Sequence, residues 1–276
     1  MVRAKGVGAK AQIRVGIGGW VFPPWRGVFY PKGLPQAQEL SHASRQVTAI
    51  EINATFYGSQ KPASFRRWYS ETPDDFVFSV KGPRLATIRK VLAEVKPSID
   101  RFFSSGVLEL KEKLGPILWQ FAAFKRFEPA DFAAFLDFLP HELDGLKLRH
   151  VVEVRHESFA TPEFVELLRR HGVALALVDG EDRPVHCDIT ADFIYARLER
   201  AVEAEPAGYP AKDMKVWAKR FQTWAGGAVP SDVTHVHPDQ PERKAGRDCF
   251  VYFISGAKVR NPAAAQRMLK VLADLR

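Results

Sequence analysis

The sequence predicts an α/β protein with a (β/α)8 TIM-like barrel, irregular around its sixth connection. Three observations predict it. Eight short segments are rich in β-branched or aromatic residues, helical patterns follow most of them, and polar residues gather at their C-terminal ends. A doubly wound open sheet is the alternative. It usually carries a glycine-rich phosphate loop that opens a helix after the first strand, and Gly16-Ile17-Gly18-Gly19-Trp20-Val21-Phe22-Pro23 opens none.

The elements follow in order. Residues 1–12 are basic with no apolar run behind them, so they read as a loose basic tail rather than a secretory leader. A single domain then runs over 13–276. Its strands are predicted at 13–19, 48–53, 76–81, 115–121, 149–155, 173–179, 193–199 and 249–255, each fenced by Gly, Pro, Asp or Asn. Helices are predicted at 35–46, 61–71, 97–113, 129–139, 161–171, 212–225 and 261–275. Thr161-Pro162 and Asn261-Pro262 read as N-cap and first-turn proline pairs. The sixth connection, 180–192, is too short and too rich in turn formers for a long helix. Trp20, Phe22, Trp25, Phe29 and Tyr30 make an aromatic loop after the first strand, which is either a lid or a cover for the rim.

Side chains along a strand alternate between its two faces. Glu51 and Asn53 therefore share a face, as do Ser79 and Lys81, Leu118 and Gln120, Glu153 and Arg155, Leu177 and Asp179, and Tyr195, Arg197 and Glu199. The opposite faces are apolar, for example Ile50/Ile52, Phe78/Val80, Val152/Val154, Ala176/Val178 and Ile194/Ala196/Leu198. In a barrel the outer face packs under helices, so the polar set is expected to point inward, at the C-terminal end where barrel enzymes build their sites. That assigns Glu51, Lys81, Glu153 and Asp179 as catalytic candidates, and Asn53, Tyr57, Gln120, Arg155, His156 and Arg197 as ligand-binding candidates. Charges taken from water must be paired. The ring is thus either an ion-pair plug or a polar ligand pocket, and six ionisable groups converging from different strands favour the pocket.

The net charge of +8 attracts small anions or nucleic acid. The basic residues are scattered as pairs such as Arg66-Arg67, Arg169-Arg170 and Lys219-Arg220, so a small anionic ligand is the favoured partner over nucleic acid. No run approaches the ~18 apolar residues of a membrane span. The two cysteines, Cys187 and Cys249, form no C-x-x-C pattern, which fits a reducing cytoplasm. No cofactor fingerprint is present. His235-Val236-His237 reads as a surface loop, and His186-Cys187-Asp188 lacks a partner motif for zinc. Three cations beside the carboxylates also speak against a metal.

The segments GIGGWVFPPWRGVFYP, VTAIEINATFYGSQ, TPDDFVFSVKGPR, KLGPILWQF, VVEVRHESF, VALALVD and FIYARL, in this order and spacing, resemble the YecE-like proteins, the domain of unknown function 72. The resemblance runs from about Ile13 to the C-terminus. It implies a TIM-barrel fold, in a family whose biochemical activity is not established, with motif positions at Glu51, Asn53, Phe56, Tyr57, Lys81, Gln120, Glu153, Arg155, His156, Asp179 and Arg197. Four places depart from the family pattern: Ala122-Ala123 in place of prolines, Thr87-Ile88 in place of Thr-His, Glu199-Arg200 in place of His-Gly, and Ile254-Ser255-Gly256 in place of an Asn-rich strand end. The chain reads as a divergent member. Its expected function is an enzyme acting on a small polar, anionic substrate. A non-catalytic binding or scaffold protein and a nucleic-acid-processing barrel are the alternatives.

Overall fold

The computed structural model describes residues 11–180, 186–243 and 245–275. Most of the predicted basic tail and residues 181–185 of the sixth connection lie outside the described residues. Eight parallel strands close into a barrel: β1 (Ile13–Gly18), β2 (Ala49–Ile52), β3 (Val77–Lys81), β4 (Leu114–Gln120), β5 (His150–Glu153), β6 (Ala174–Asp179), β7 (Phe193–Leu198) and β8 (Asp248–Phe253). Each strand pairs with its sequence neighbours, and β1 closes the ring on both β2 and β8. Every predicted strand is present.

The longer helices are α1 (Pro62–Glu71), α2 (Lys96–Ser104), α3 (Pro129–Asp137), α4 (Pro162–His171), α5 (Ala211–Ala225) and α6 (Asn261–Asp274). Their apolar stripes bury against the outer faces of the strands. In α5 the stripe is Met214, Trp217, Ala218, Phe221 and Trp224, at the three-and-four spacing of one helix face. None of the described helices is long and apolar enough to cross a membrane. Thr161 caps α4 as expected, its Oγ1 accepting from Phe164 N at 3.3 Å.

Three expectations need correction. The helix expected at 97–113 stops at Ser104 and resumes as a 3-10 turn, because Gly106 adopts φ +98°. Residues 35–46 hold only a 3-10 turn and the short helix Glu39–Ala43. Asn261 is the first residue of α6 rather than its cap, since the 3-10 turn Lys258–Arg260 runs straight into the helix.

The core has two parts. One apolar cluster lies between strands and helices and includes Ile17, Ile50, Phe78, Trp119, Val152 and Leu198. The other fills the lumen with Leu118, Val151, Phe193, Tyr195, Phe250 and Tyr252. The lumen is therefore plugged from below, and only its C-terminal end is free to carry a site. Gly16 leaves room for this filling, because a Cβ there would stand 2.1 Å from the Ala49 carbonyl oxygen.

Candidate functional site

Above the tyrosine layer the lumen turns polar. Ser79 Oγ and Tyr252 OH lie 2.6 Å apart, and Tyr195 OH donates to Glu51 Oε2 at 2.7 Å. Arg197, only 3 % exposed, spans the lumen. Its Nε and Nη2 donate to Glu51 at 3.2 and 3.4 Å, and its Nη1 donates to Glu153 Oε2 at 2.6 Å and Glu199 Oε1 at 2.9 Å. Burial alone would lower the Arg197 pKa. The carboxylates of Glu153, Glu51 and Glu199 outweigh it and raise the value above the ordinary range. Burial and the Glu51 carboxylate likewise push the Tyr195 phenol well up, so it stays a donor.

A cavity of about 640 Å³ opens above this layer. Lys81, Gln120, Arg155, Arg197, Glu199 and Lys258 give it its charged and polar lining, with Asn53 and the 80 % exposed Tyr57 at its edge. Lys81 Nζ donates to Gln120 Oε1 at 2.7 Å and lies 4.0 Å from the centre of the Phe56 ring. Gln120 in turn donates to Glu153 Oε1 at 2.9 Å, which fixes which amide atom faces the lysine. Burial lowers the Lys81 pKa against the pull of Glu51, and the neighbouring Arg197 and Arg155 add to the lowering. Arg155 reaches Glu153 Oε1 with Nε and Nη2 at 3.0 and 2.9 Å and keeps 38 % of its side chain exposed. Burial also lowers the pKa of Lys258, whose Nζ sits 4.6 Å from the Phe22 ring centre and 5.8 Å from that of Trp25. Asn261, 2 % exposed, lines the cavity with its Oδ1 buried and unpartnered among the described residues.

The inward assignment holds for Glu51, Lys81, Gln120, Glu153, Arg155 and Arg197. It fails for Asp179. Ala176 and Val178 join the lumen cluster while Leu177 joins the outer one, so β6 presents the face opposite to that expected. Asp179 points outward into a separate cavity that also holds Arg200, Trp217 and Arg220, with Arg200 Nη1 3.6 Å away. Burial raises the Asp179 pKa, against the lowering effect of Arg200. His156 also stays out of the mouth. Its Nδ1 accepts from Ser158 N at 3.1 Å and caps the turn Glu157–Phe159. Glu51 and Glu153 are buried beneath the cavity, engaged with Arg197, so Glu199 is the carboxylate on its lining.

Strand alternation does not reach Lys258, because it opens the 3-10 turn after β8. Its place just before the Asn261-Pro262 helix start is the sequence signal that puts it at the mouth. The aromatic loop proves to be rim cover: Trp25 and Tyr30 are each 1 % exposed, and Tyr30 OH donates to the Trp20 carbonyl. Of the four departures from the family pattern, Glu199 and Ile254-Ser255 line the cavity, whereas Thr87 is buried in a short helix. Asp188 accepts from the backbone N–H groups of Val236 and His237, both at 2.9 Å, which ties that histidine loop down.

A family profile described as "Protein of unknown function DUF72" matches residues 14–275. The UPF0759 protein YunF of Bacillus subtilis is 24 % identical over 160 residues, covering 56 % of this chain and 55 % of that protein. The chain thus spans about half the length of the curated relative it matches. Two crystal structures share the fold. A DUF72 family protein from Thermotoga maritima superposes with a TM-score of 0.72 at 24 % identity, covering 95 % of this chain and 99 % of that one. One from Enterococcus faecalis gives 0.68 at 16 % identity, covering 95 % and 98 %. With the profile running from the first strand to the end of the last helix, the chain belongs to the DUF72 family, and its fold is the (β/α)8 barrel.

Proposed function

We propose that the protein is an enzyme that binds a small anionic substrate, bearing a carboxylate or phosphate, at the C-terminal mouth of the barrel and works on it by acid–base and electrostatic chemistry. One observation carries this reading. Lys81 and Lys258 line the same cavity, and among the described residues neither has a carboxylate within 4.0 Å. A buried ammonium lacking a counter-charge in contact is penalised, and at Lys81 the pull of Glu51 and Glu153 offsets this only in part, so its pKa is lowered. An anionic ligand supplies that counter-charge, and Arg155 adds a guanidinium edge, since its Nη1 makes no hydrogen bond among the described residues.

The buried layer has a different role. Glu51, Glu153 and Tyr195 hold Arg197 rigid under the cavity, so its charge faces the ligand without reorganisation. Glu199 and Lys81 are the groups that can exchange protons with a bound molecule. Crystals soaked in malonate or in phosphate test the reading. Anion density bridging Arg155 and Lys258 is expected. A cavity holding only water at saturating soak concentrations would overturn it.

A further inference from the structure

Among the described residues three lysines are buried, and one of them is bonded unlike the others. Lys113, 2 % exposed, gives its ammonium to Tyr69 O, Thr72 O and Thr72 Oγ1 at 2.7, 2.8 and 3.4 Å. Lys125, 6 % exposed, is held by Lys90 O and Asp131 Oδ2, both at 2.8 Å. These are structural ammonium groups with their protons placed. Lys81, 5 % exposed, donates among the described residues to a single oxygen, the neutral amide of Gln120, and otherwise meets the face of Phe56 and the cavity. Two guanidinium groups, Arg155 and Arg197, line that cavity with it. A lysine desolvated beside other cations is the arrangement that frees an amine lone pair for attack on a carbonyl carbon.

We propose that Lys81 forms a Schiff base with the carbonyl carbon of a small 2-oxo acid whose carboxylate is taken by Arg155 and Lys258. This rests on the mouth being an anion site, and it names the substrate class. In the first step the Glu199 carboxylate takes one proton from the Lys81 ammonium, the freed Nζ bonds to the carbonyl carbon, and a second nitrogen proton passes to the carbonyl oxygen. Glu199 then returns its proton to that oxygen, which leaves as water. A protonated imine remains, and Glu199 is left as a carboxylate. Gln120, pinned by Glu153, holds the amine during the attack. The imine withdraws electrons from the neighbouring carbon, and Glu199 is placed on the cavity wall to take a proton from it.

The test treats the full chain with pyruvate or glyoxylate and sodium borohydride. Intact mass and peptide mapping follow, with malonate, which has no ketone or aldehyde, as both competitor and thermal-shift ligand. The expected result is one reduced adduct per chain on the Lys81 peptide, suppressed by malonate and absent from a folded Lys81→Arg variant. If malonate raises the wild-type melting temperature yet no adduct forms at Lys81, the Schiff base is refuted while the anion site stands. If malonate neither stabilises nor competes and no adduct forms, both readings fail. Adducts spread over surface lysines without preference for Lys81 would also refute the proposal.

Discussion

Replacing Arg197 with Met isolates what the buried layer contributes. The guanidinium is 3 % exposed and makes hydrogen bonds to Glu51, Glu153 and Glu199, the first two with fully buried side chains. Methionine fills much of the volume and removes the charge. Glu153 keeps Gln120 and Arg155, while Glu51 keeps the Tyr195 hydroxyl. Breaking one side of a buried ion pair costs ~3–5 kcal/mol, mostly through the charge left behind. For a domain of this size that corresponds to a melting temperature lower by roughly 10 °C. Thermal and urea melts read the loss directly. A second variant separates charge from packing: adding Glu51→Gln to Arg197→Met removes the stranded carboxylate and should restore at least ~1 kcal/mol as coupling. An Arg197→Met protein within ~1 kcal/mol of wild type, or a double variant weaker than the sum of its parts, would refute the reasoning.

Lys81→Met should leave the unliganded fold as stable as wild type or more so, since it removes an amine that burial penalises, while abolishing any stabilisation by malonate. The pH dependence has a definite sign. The folded Lys81 pKa lies below the ordinary 10.5, so between those values the unfolded chain binds more protons and stability rises with pH. That rise should be smaller in Lys81→Met, and equal slopes over the alkaline limb would contradict it. His150 is buried and has its pKa pushed down to about 4 by desolvation. Its Nδ1 accepts from Trp119 at 3.2 Å and its Nε2 faces the Pro140 oxygen at 2.8 Å. It should therefore subtract stability as pH falls from about 6.5 to about 4, and its imidazole resonances should show no titration near neutrality. A midpoint close to 6.5 by NMR would remove that account. Gly16→Ala places a methyl against the Ala49 oxygen and should cost ~1–3 kcal/mol in a urea melt; an unchanged midpoint would mean the strand pair yields freely.

The barrel was legible because its two faces differ chemically. Ile50 with Ile52, Phe78 with Val80 and Ile194 with Ala196 and Leu198 lie under helices, and the period of two then sends Glu51, Lys81, Gln120, Glu153 and Arg197 inward. The same reasoning failed on β6, where Val-Ala-Leu-Ala-Leu-Val is apolar on both faces and the lone Asp179 decided the assignment wrongly. There the lumen takes the small pair Ala176 and Val178, and Asp179 finds Arg200 outside. Alternation is also silent about loops, which is why Lys258 escaped it. An ion-pair plug and a pocket do not exclude each other in this barrel. The two stand one above the other, with Arg197 in the plug and Arg155 in the pocket.

That division can be measured at Arg155. Because its side chain is 38 % exposed and Glu153 retains Arg197 and Gln120, Arg155→Met should lose no more than ~1 kcal/mol. Calorimetric titration of wild type and Arg155→Met with malonate, phosphate and citrate, alongside thermal melts, reads both properties together. The account predicts that at least one anion binds wild type and raises its melting temperature, and that Arg155→Met melts close to wild type without responding. No response to any of these anions in the wild type, together with a loss of ~3–5 kcal/mol in Arg155→Met, would make the whole ring a structural plug and contradict the claim that the mouth is a ligand site.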